Sequence, residues 1–243
     1  MYRLAKKLIS KLISKQTLFR YELTLRRAYA TIYSGDKHEC GICHKKLSRF
    51  IVLENNNILC PNCGSLARDR RLVSLLNSGF LDNGITVLDF SPSRSVYREL
   101  NKNSSINYLS TDLSGNFFAK YSFDITNLDL EDESVDLIIC YHILEHIEND
   151  SKAMSELYRV LKPKGKCIIQ TPFKDGDIYE DFSITSPEER EIHFGQDDHV
   201  RVYSVNGLKE RLEKTGFSVS VNEYKEDNYL GLKKENILIT AKA

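Results

Sequence analysis

From residue 85 to residue 241 the chain alternates between two kinds of segment, and this alternation restricts the fold more than any other feature. Short β-type runs occupy residues 85–90, 107–113, 121–125, 135–141, 166–171, 217–224 and 235–241. Helix-type spacing occupies 94–101, 151–161 and 205–214. In the second of these Met154, Leu157, Val160 and Leu161 share one face, and Gly216 closes the third. Strands separated by helices pair mainly in parallel, with the helices covering both faces of the sheet. The expected architecture is α/β: a doubly wound, mainly parallel, seven-stranded sheet. In such sheets ligands sit beyond the carboxyl ends of the strands, so residues just after each β-type run are the candidates for chemistry. The polar stretch 172–201 has no clear period and reads as a loop over that edge.

A different module precedes the sheet. Cys40-Gly41-Ile42-Cys43 and Cys60-Pro61-Asn62-Cys63 are two C-x-x-C pairs separated by sixteen residues. Each pair can turn two thiolates toward one point, and two pairs complete a tetrahedron around Zn²⁺. The run 48–54, with Phe50, Ile51 and Val52, supplies the hairpin of a zinc ribbon. Four protein ligands leave no open position, so the site is expected to be structural. His38 and His44 lie close enough to substitute, but four cysteines make them unnecessary. A disulfide or redox pair is the competing reading, disfavoured by a cytoplasmic setting.

The chain is neutral overall, with 34 basic and 34 acidic residues, but the charge is unevenly placed. Residues 1–33 hold eight Lys and Arg against Glu22 alone, which leaves 34–243 net acidic. Residues 1–14 read as an amphipathic helix, with Leu4, Leu8 and Leu12 on one face and Arg3, Lys6, Lys7 and Lys11 on the other. That pattern suits peripheral contact with anionic lipid, or docking on the protein itself. Lysines interrupt every apolar stretch there, which argues against a secretory signal. No apolar run approaches the roughly 20 residues that span a bilayer. A cytoplasmic location, with membrane association through residues 1–14, is expected.

Several segments together carry a resemblance. ITVLD at 85–89, YLSTDL at 108–113 and FDITNL at 123–128 are followed by SVDLIICYHILEHIE at 134–148 and ELYRVLKPKG at 156–165. In residues and spacing this order resembles the class I S-adenosylmethionine-dependent methyltransferases with the type 11 methyltransferase domain, over roughly 85–217. The resemblance implies a Rossmann-like methyltransferase fold and S-adenosylmethionine as cofactor. It also implies roles by position. Asp112 would accept the ribose hydroxyls, and Asp124 with Ile125 would pair with and cover the adenine. Asp89 would stand beside the methionine end, and Tyr141 and His142 below the sulfonium. One departure stands out. Where the family has a glycine-rich turn after the first strand, this chain has Asp89-Phe90-Ser91-Pro92-Ser93-Arg94-Ser95, with serine at all three glycine positions. Serine disfavours the positive φ that glycine allows, and Pro92 fixes its own φ. The loop must therefore take another shape, with Ser91 and Ser93 as candidate cofactor contacts and helix caps.

The acceptor side is expected in the polar stretch, where 193–201 reads HFGQDDHVR. His199 is the leading base candidate, with His142 as the second. Asp197 or Asp198 would orient the base, and Arg201 would bind an anionic acceptor. Residues 142–146 also spell H-x-x-E-H, an inverted zinc-protease motif, but that motif needs a helix and here it leaves a strand-type run. Three functions compete: methyl transfer to a small molecule or glycan, RNA methylation, and a binding or scaffold protein that has lost catalysis. The acidic balance of 34–243 disfavours RNA, because phosphate backbones need clustered cations. The expected division is a basic helical segment at 1–34, the zinc-ribbon-like module and linker helix at 35–82, and the methyltransferase domain at 83–243.

Overall fold

The computed structural model describes residues 15–242. The amphipathic helix expected at 1–14 lies outside them. Helix α1 (Lys15–Tyr29) and a 3-10 turn (Ala30–Tyr33) lead into two small antiparallel hairpins, β1 (Ser34–Glu39) with β2 (Lys46–Leu47) and β3 (Ile51–Val52) with β4 (Ile58–Leu59). Helix α2 (Ala67–Asn77) follows, and then the large sheet begins. Its strands are β5 (Thr86–Phe90), β6 (Asn107–Thr111), β7 (Val135–Tyr141), β8 (Leu161–Gln170), β11 (Ser218–Tyr224) and β12 (Glu235–Ala241), in the order β11-β12-β8-β7-β5-β6. Only β12 runs against the others.

The sheet therefore has six strands, not the expected seven. Residues 121–125 form a single parallel bridge, Thr111 with Tyr121. The reason is local. The amides of Lys120 and Tyr121 both donate to the Ser110 carbonyl, and that of Phe123 donates to the Thr111 hydroxyl. Asp124 then turns the chain by accepting the Thr126 amide. Donors that a strand would offer in sequence are spent on one edge point and a side chain.

Both faces of the sheet are buried, and alternate residues divide between them. Val87, Ile139, Ile168 and Ile237 pack on one side with Leu72 and Leu76 of α2 and Val96 and Leu100 of α3 (Arg94–Asn101). Leu88, Ile138, Ile169 and Leu238 pack on the other, against Met154 and Leu157 of α4 (Asp150–Val160) and Leu208 and Leu212 of α6 (Val205–Thr215). This two-sided burial is what a parallel sheet requires.

The cysteine module is not a separate bead. Cys40, Leu47, Phe50 and Cys60 belong to the same core as Val87 and Ile139. The Arg70 guanidinium is 1% exposed and bonds the carbonyls of Ser65, Ile58, Leu230 and Gly231, so it joins α2, the hairpins and the β11–β12 loop.

The stretch read as an unstructured polar loop holds a helix, α5 (Pro187–Phe194), and a short hairpin, β9 (Tyr179–Glu180) with β10 (Arg201–Val202). Ser186 caps α5 by accepting the Glu189 amide, Pro187 stands in the first turn, and Gly195 ends the helix at φ 88°. No helix among the described residues is long and apolar enough to cross a membrane.

Candidate functional site

Strands β5, β6, β7 and β8 end along one edge, and the backbone there is bent in two places. Ser91, immediately after β5, has φ 46°, and His142, immediately after β7, has φ 55°. Non-glycine residues rarely adopt this region, at a cost of about 1–2 kcal/mol each. Each is held by a hydrogen bond to the adjacent strand: Ser91 N–H to the Thr111 carbonyl at 2.7 Å, and His142 N–H to the Gln170 carbonyl at 2.8 Å. Strain of this kind, imposed at a strand end, marks a place where side chains are aimed.

Each of the three serines has a contact of its own, and the Ser93 and Ser95 hydroxyls also bond each other at 3.0 Å. The Ser91 hydroxyl donates to Asp112 Oδ1 at 2.8 Å. Ser93 is the N-cap of α3, accepting the Val96 amide. Ser95 is buried and donates to Asp69 Oδ2 at 3.0 Å. Ser91 thus keeps a positive φ at the first glycine position despite its side chain, and the hydroxyls tie the turn to Asp112, to the start of α3 and to Asp69.

Asp112 sits just past β6, 6% exposed, and is the best-furnished carboxylate on this edge. Besides Ser91 it accepts the Ser114 hydroxyl, at 3.0 and 3.2 Å, and the Phe117 amide at 3.0 Å. Two hydroxyl donors on one carboxylate reproduce the pattern that a ribose diol offers. Leu113 and Phe117 are exposed beside it, giving the rim an apolar surface.

Other expected contacts are placed differently. Asp124 is exposed, and its Oδ1 accepts both the amide and hydroxyl of Thr126. The Thr126 amide, then its hydroxyl, hold this carboxyl below the ordinary range. Ile125 is 4% exposed and packs in the core with Leu88 and Phe90, not over the mouth. Asp89 is 2% exposed and accepts the Tyr108 hydroxyl at 2.7 Å, so its carboxyl faces inward. Burial pushes it up to about 7, against the Tyr108 hydrogen bond. Tyr141 turns its hydroxyl into the protein, where it lacks a hydrogen-bond partner. Gln170 Oε1 and Thr171 Oγ1, at the end of β8, are buried and likewise unpartnered, so this edge offers polar atoms that a ligand could satisfy.

Beyond β7 a 3-10 turn (Leu144–His146) carries Glu145 and His146. His142 Nδ1 lies 3.2 Å from Glu145 Oε1. Burial would raise the Glu145 carboxyl, but His142 and then His146 outweigh it and hold it down. His199, 3% exposed, is brought against this turn with its ring edge-on to His146 at 4.6 Å. Burial, then the neighbouring His146, lower its pKa, so it is neutral near pH 7 and can accept a proton. Asp198 faces His146 rather than His199, at 3.4 Å from Nδ1.

Arg201 corrects the sequence reading. Its side chain is fully buried and bonds Glu180 at 2.8 Å and the carbonyls of Leu144, Ile147 and Glu148. A guanidinium so committed cannot receive an acceptor; it clamps the turn to β9.

Away from this edge, Cys40, Cys43, Cys60 and Cys63 place all four sulfurs within 4.8 Å of one another. Cys40 and Cys63 Sγ are 3.6 Å apart, and Cys43 and Cys60 Sγ 3.8 Å. A tetrahedron with bonds of about 2.3 Å has edges of about 3.8 Å, so the donor set fits Zn²⁺. The two knuckles repeat one backbone pattern: His44 and Gly64 return amides to the Cys40 and Cys60 carbonyls, both at positive φ. His38 instead contacts the Asn228 carbonyl, outside the cluster.

A mainly parallel sheet with one reversed strand, and an acid buried past its second strand beside a reshaped first turn, define an α/β fold of the class I methyltransferase type. Comparison with known proteins agrees. The family model described as a methyltransferase domain matches residues 72–169, so that part of the chain is similar to class I S-adenosylmethionine-dependent methyltransferases. An uncharacterized protein of Methanocaldococcus jannaschii is 33% identical over 109 residues, which is 40% of this chain and 47% of that one. A sterol 24-C-methyltransferase of Eremothecium gossypii is 30% identical over 108 residues, 43% of this chain and 28% of the relative. The chain thus spans less than half the length of these curated relatives. A solved S-adenosylmethionine-dependent methyltransferase from Archaeoglobus fulgidus superposes with a TM-score of 0.52 at 17% identity, over 74% of this chain and 95% of that one, a likeness of fold.

Proposed function

We propose that this protein transfers a methyl group from S-adenosylmethionine to a small-molecule or glycan acceptor, and that its four cysteines hold a structural Zn²⁺. The observation that carries the first part is Asp112, a buried carboxylate at the strand edge accepting two hydroxyls. Asp112 would hold the ribose, and the exposed Leu113 and Phe117 would flank the base. When bound, the cofactor supplies an electrophilic methyl group on a sulfonium. The protein's own part is to align donor and acceptor and to exclude water. Where the acceptor is a hydroxyl, His199, neutral and beside the end of β7, or His142 can take the proton that its oxygen loses. A small acceptor suits an edge where the buried Arg201 is wholly committed to the protein. Peripheral membrane contact through residues 1–14 remains part of this reading, because a basic amphipathic segment would bring the enzyme to acceptors at a lipid surface.

One feature favours a second reading, a binding protein without turnover. Ser91 and Ser114 already occupy the hydroxyl positions on Asp112, so a ribose must displace them. Calorimetry with S-adenosylmethionine and S-adenosylhomocysteine separates the two. Under the enzyme reading the wild type binds, Asp112→Asn weakens binding about 10- to 100-fold, the scale of lost hydrogen bonds to a charge, and Ser91→Gly strengthens it by removing the competing hydroxyl. Absence of binding in both wild type and Ser91→Gly would leave the non-catalytic reading standing.

A further inference from the structure

The turn after β7 encloses a group of donors of which the methyl-transfer reading uses only His199. Glu145 is 1% exposed, and neither of its carboxylate oxygens accepts a hydrogen bond among the described residues. His199 is 3% exposed, and its Nε2 is buried and unpartnered. His146, half-buried, completes the group: one donor atom from each of Glu145, His146 and His199 lies within 4.8 Å of the other two. A buried carboxylate oxygen without a donor and a buried imidazole nitrogen without a partner are each unfavourable. His142, at 3.2 Å from Oε1, offsets part of the charge but leaves the other oxygen and the His199 nitrogen unsatisfied.

The surroundings hold this group rigidly. The Val200 amide donates to the Glu145 carbonyl at 2.9 Å, and Arg201 clamps the carbonyls of Leu144 and Glu148. Asp198 lies 3.4 Å from His146 Nδ1 and 3.3 Å through its own carbonyl. A carboxylate or carbonyl behind a ligating imidazole is the usual outer partner that fixes the ring.

We propose that Glu145, His146 and His199 bind a divalent transition-metal ion, with Zn²⁺ as the ion the donor set suits best and at least one coordination position left open. Two imidazoles and one carboxylate form the donor set of catalytic rather than closed structural zinc sites, and imidazole selects borderline ions over Mg²⁺ or Ca²⁺. Bonds of about 2.0–2.1 Å need donors roughly 3.3 Å apart, so the three side chains, whose donor atoms lie within 4.8 Å, would draw in around the ion. The open position would take an oxygen of the acceptor and make its hydroxyl more acidic, a consequence that rests on the methyl-transfer reading although the metal binding itself does not. His199 is then a ligand, and His142 is left to receive the proton. The site differs from the inverted protease pattern, because His142 is not among its donors.

Metal content of the full chain, equilibrated with Zn²⁺ and freed of loose ion by desalting, tests this directly. The readout is the difference between wild type and variants, so it does not depend on occupancy of the cysteine cluster or on any cofactor binding. Wild type is expected to retain one more zinc per chain than Glu145→Gln and than His146→Gln, with circular dichroism reporting the same fold. Should Glu145→Gln fail to fold, the half-buried His146→Gln carries the comparison. Co²⁺ added to the metal-free protein in place of Zn²⁺ is expected to give, besides thiolate charge-transfer absorption from the cysteine cluster, d–d bands that His146→Gln lacks. Equal metal content in wild type and His146→Gln, or the same cobalt bands in both, overturns the assignment.

Discussion

Serine at position 91 and histidine at 142 carry a backbone conformation that their side chains resist, and in both cases the strand end dictates it through one hydrogen bond to a neighbour. The same edge buries Asp89, whose carboxyl is pushed up to about 7. An unfolded aspartate titrates near 3.9. The folded state therefore prefers the neutral acid, and that preference is fully present below about pH 4 and lost as pH rises through about 7. Asp89→Asn keeps an acceptor for Tyr108 without the charge. Chemical denaturation is expected to find the variant more stable than wild type, by a margin about 2 kcal/mol larger at pH 8.5 than at pH 5.5. Gly231 presents the opposite constraint. It has φ 61°, and a Cβ there would lie 2.4 Å from the Phe50 ring, which itself carries Arg70 over its face at 4.4 Å. Gly231→Ala should lose about 2–4 kcal/mol through strain and overpacking, read as a fall in melting temperature of roughly 5–10 °C.

Among the elements, α1 is held by charge more than by apolar area. Glu22, 9% exposed, receives Arg26 and Arg98 at 2.8 Å and Arg94 at 3.4 Å, while Phe19 stacks on Phe118 at 4.1 Å. Burial works against the ionised form of Glu22, and the Arg26 and Arg98 hydrogen bonds overcome it, holding the carboxyl low. Glu22→Gln removes the charge that three arginines share. Amide hydrogen exchange is expected to quicken in α1 by an amount equivalent to about 2 kcal/mol, with β7 and β8 unchanged. Equal quickening in the sheet would show that α1 is part of the global unfolding unit instead. Helix α5 was legible, although periodicity alone missed it: Ser186, Pro187, Glu189 and Gly195 are a start signal and a stop signal. Residues 121–125 misled in the other direction. Their apolar content is of strand type, but Ser110 and Thr111 capture the amides first.

At the scale of the molecule, the cysteine module and the sheet share a core, since Cys40 and Cys60 pack with Val87 and Ile139. If the four cysteines hold Zn²⁺, its removal cannot melt the module alone. Calorimetry with a strong chelator is expected to give one transition at lower temperature, because metal binding energy is folding energy for such sites. Two transitions, the larger unmoved, would mean that the sheet stands without the module. The sequence by itself determined all six strands of the large sheet, though it added a seventh that does not form, as well as the two cysteine knuckles and the position of Asp112, because each depends on periodicity or spacing along a short stretch. Tertiary structure alone decided which side chains meet. Fifty-four residues separate Glu145 from His199, Arg201 proved to be a clamp rather than a binder, and Ser91 closed on Asp112, all through contacts that local sequence does not encode. A partner's identity depends on how distant segments fold over one another, and that is settled only when the whole core packs.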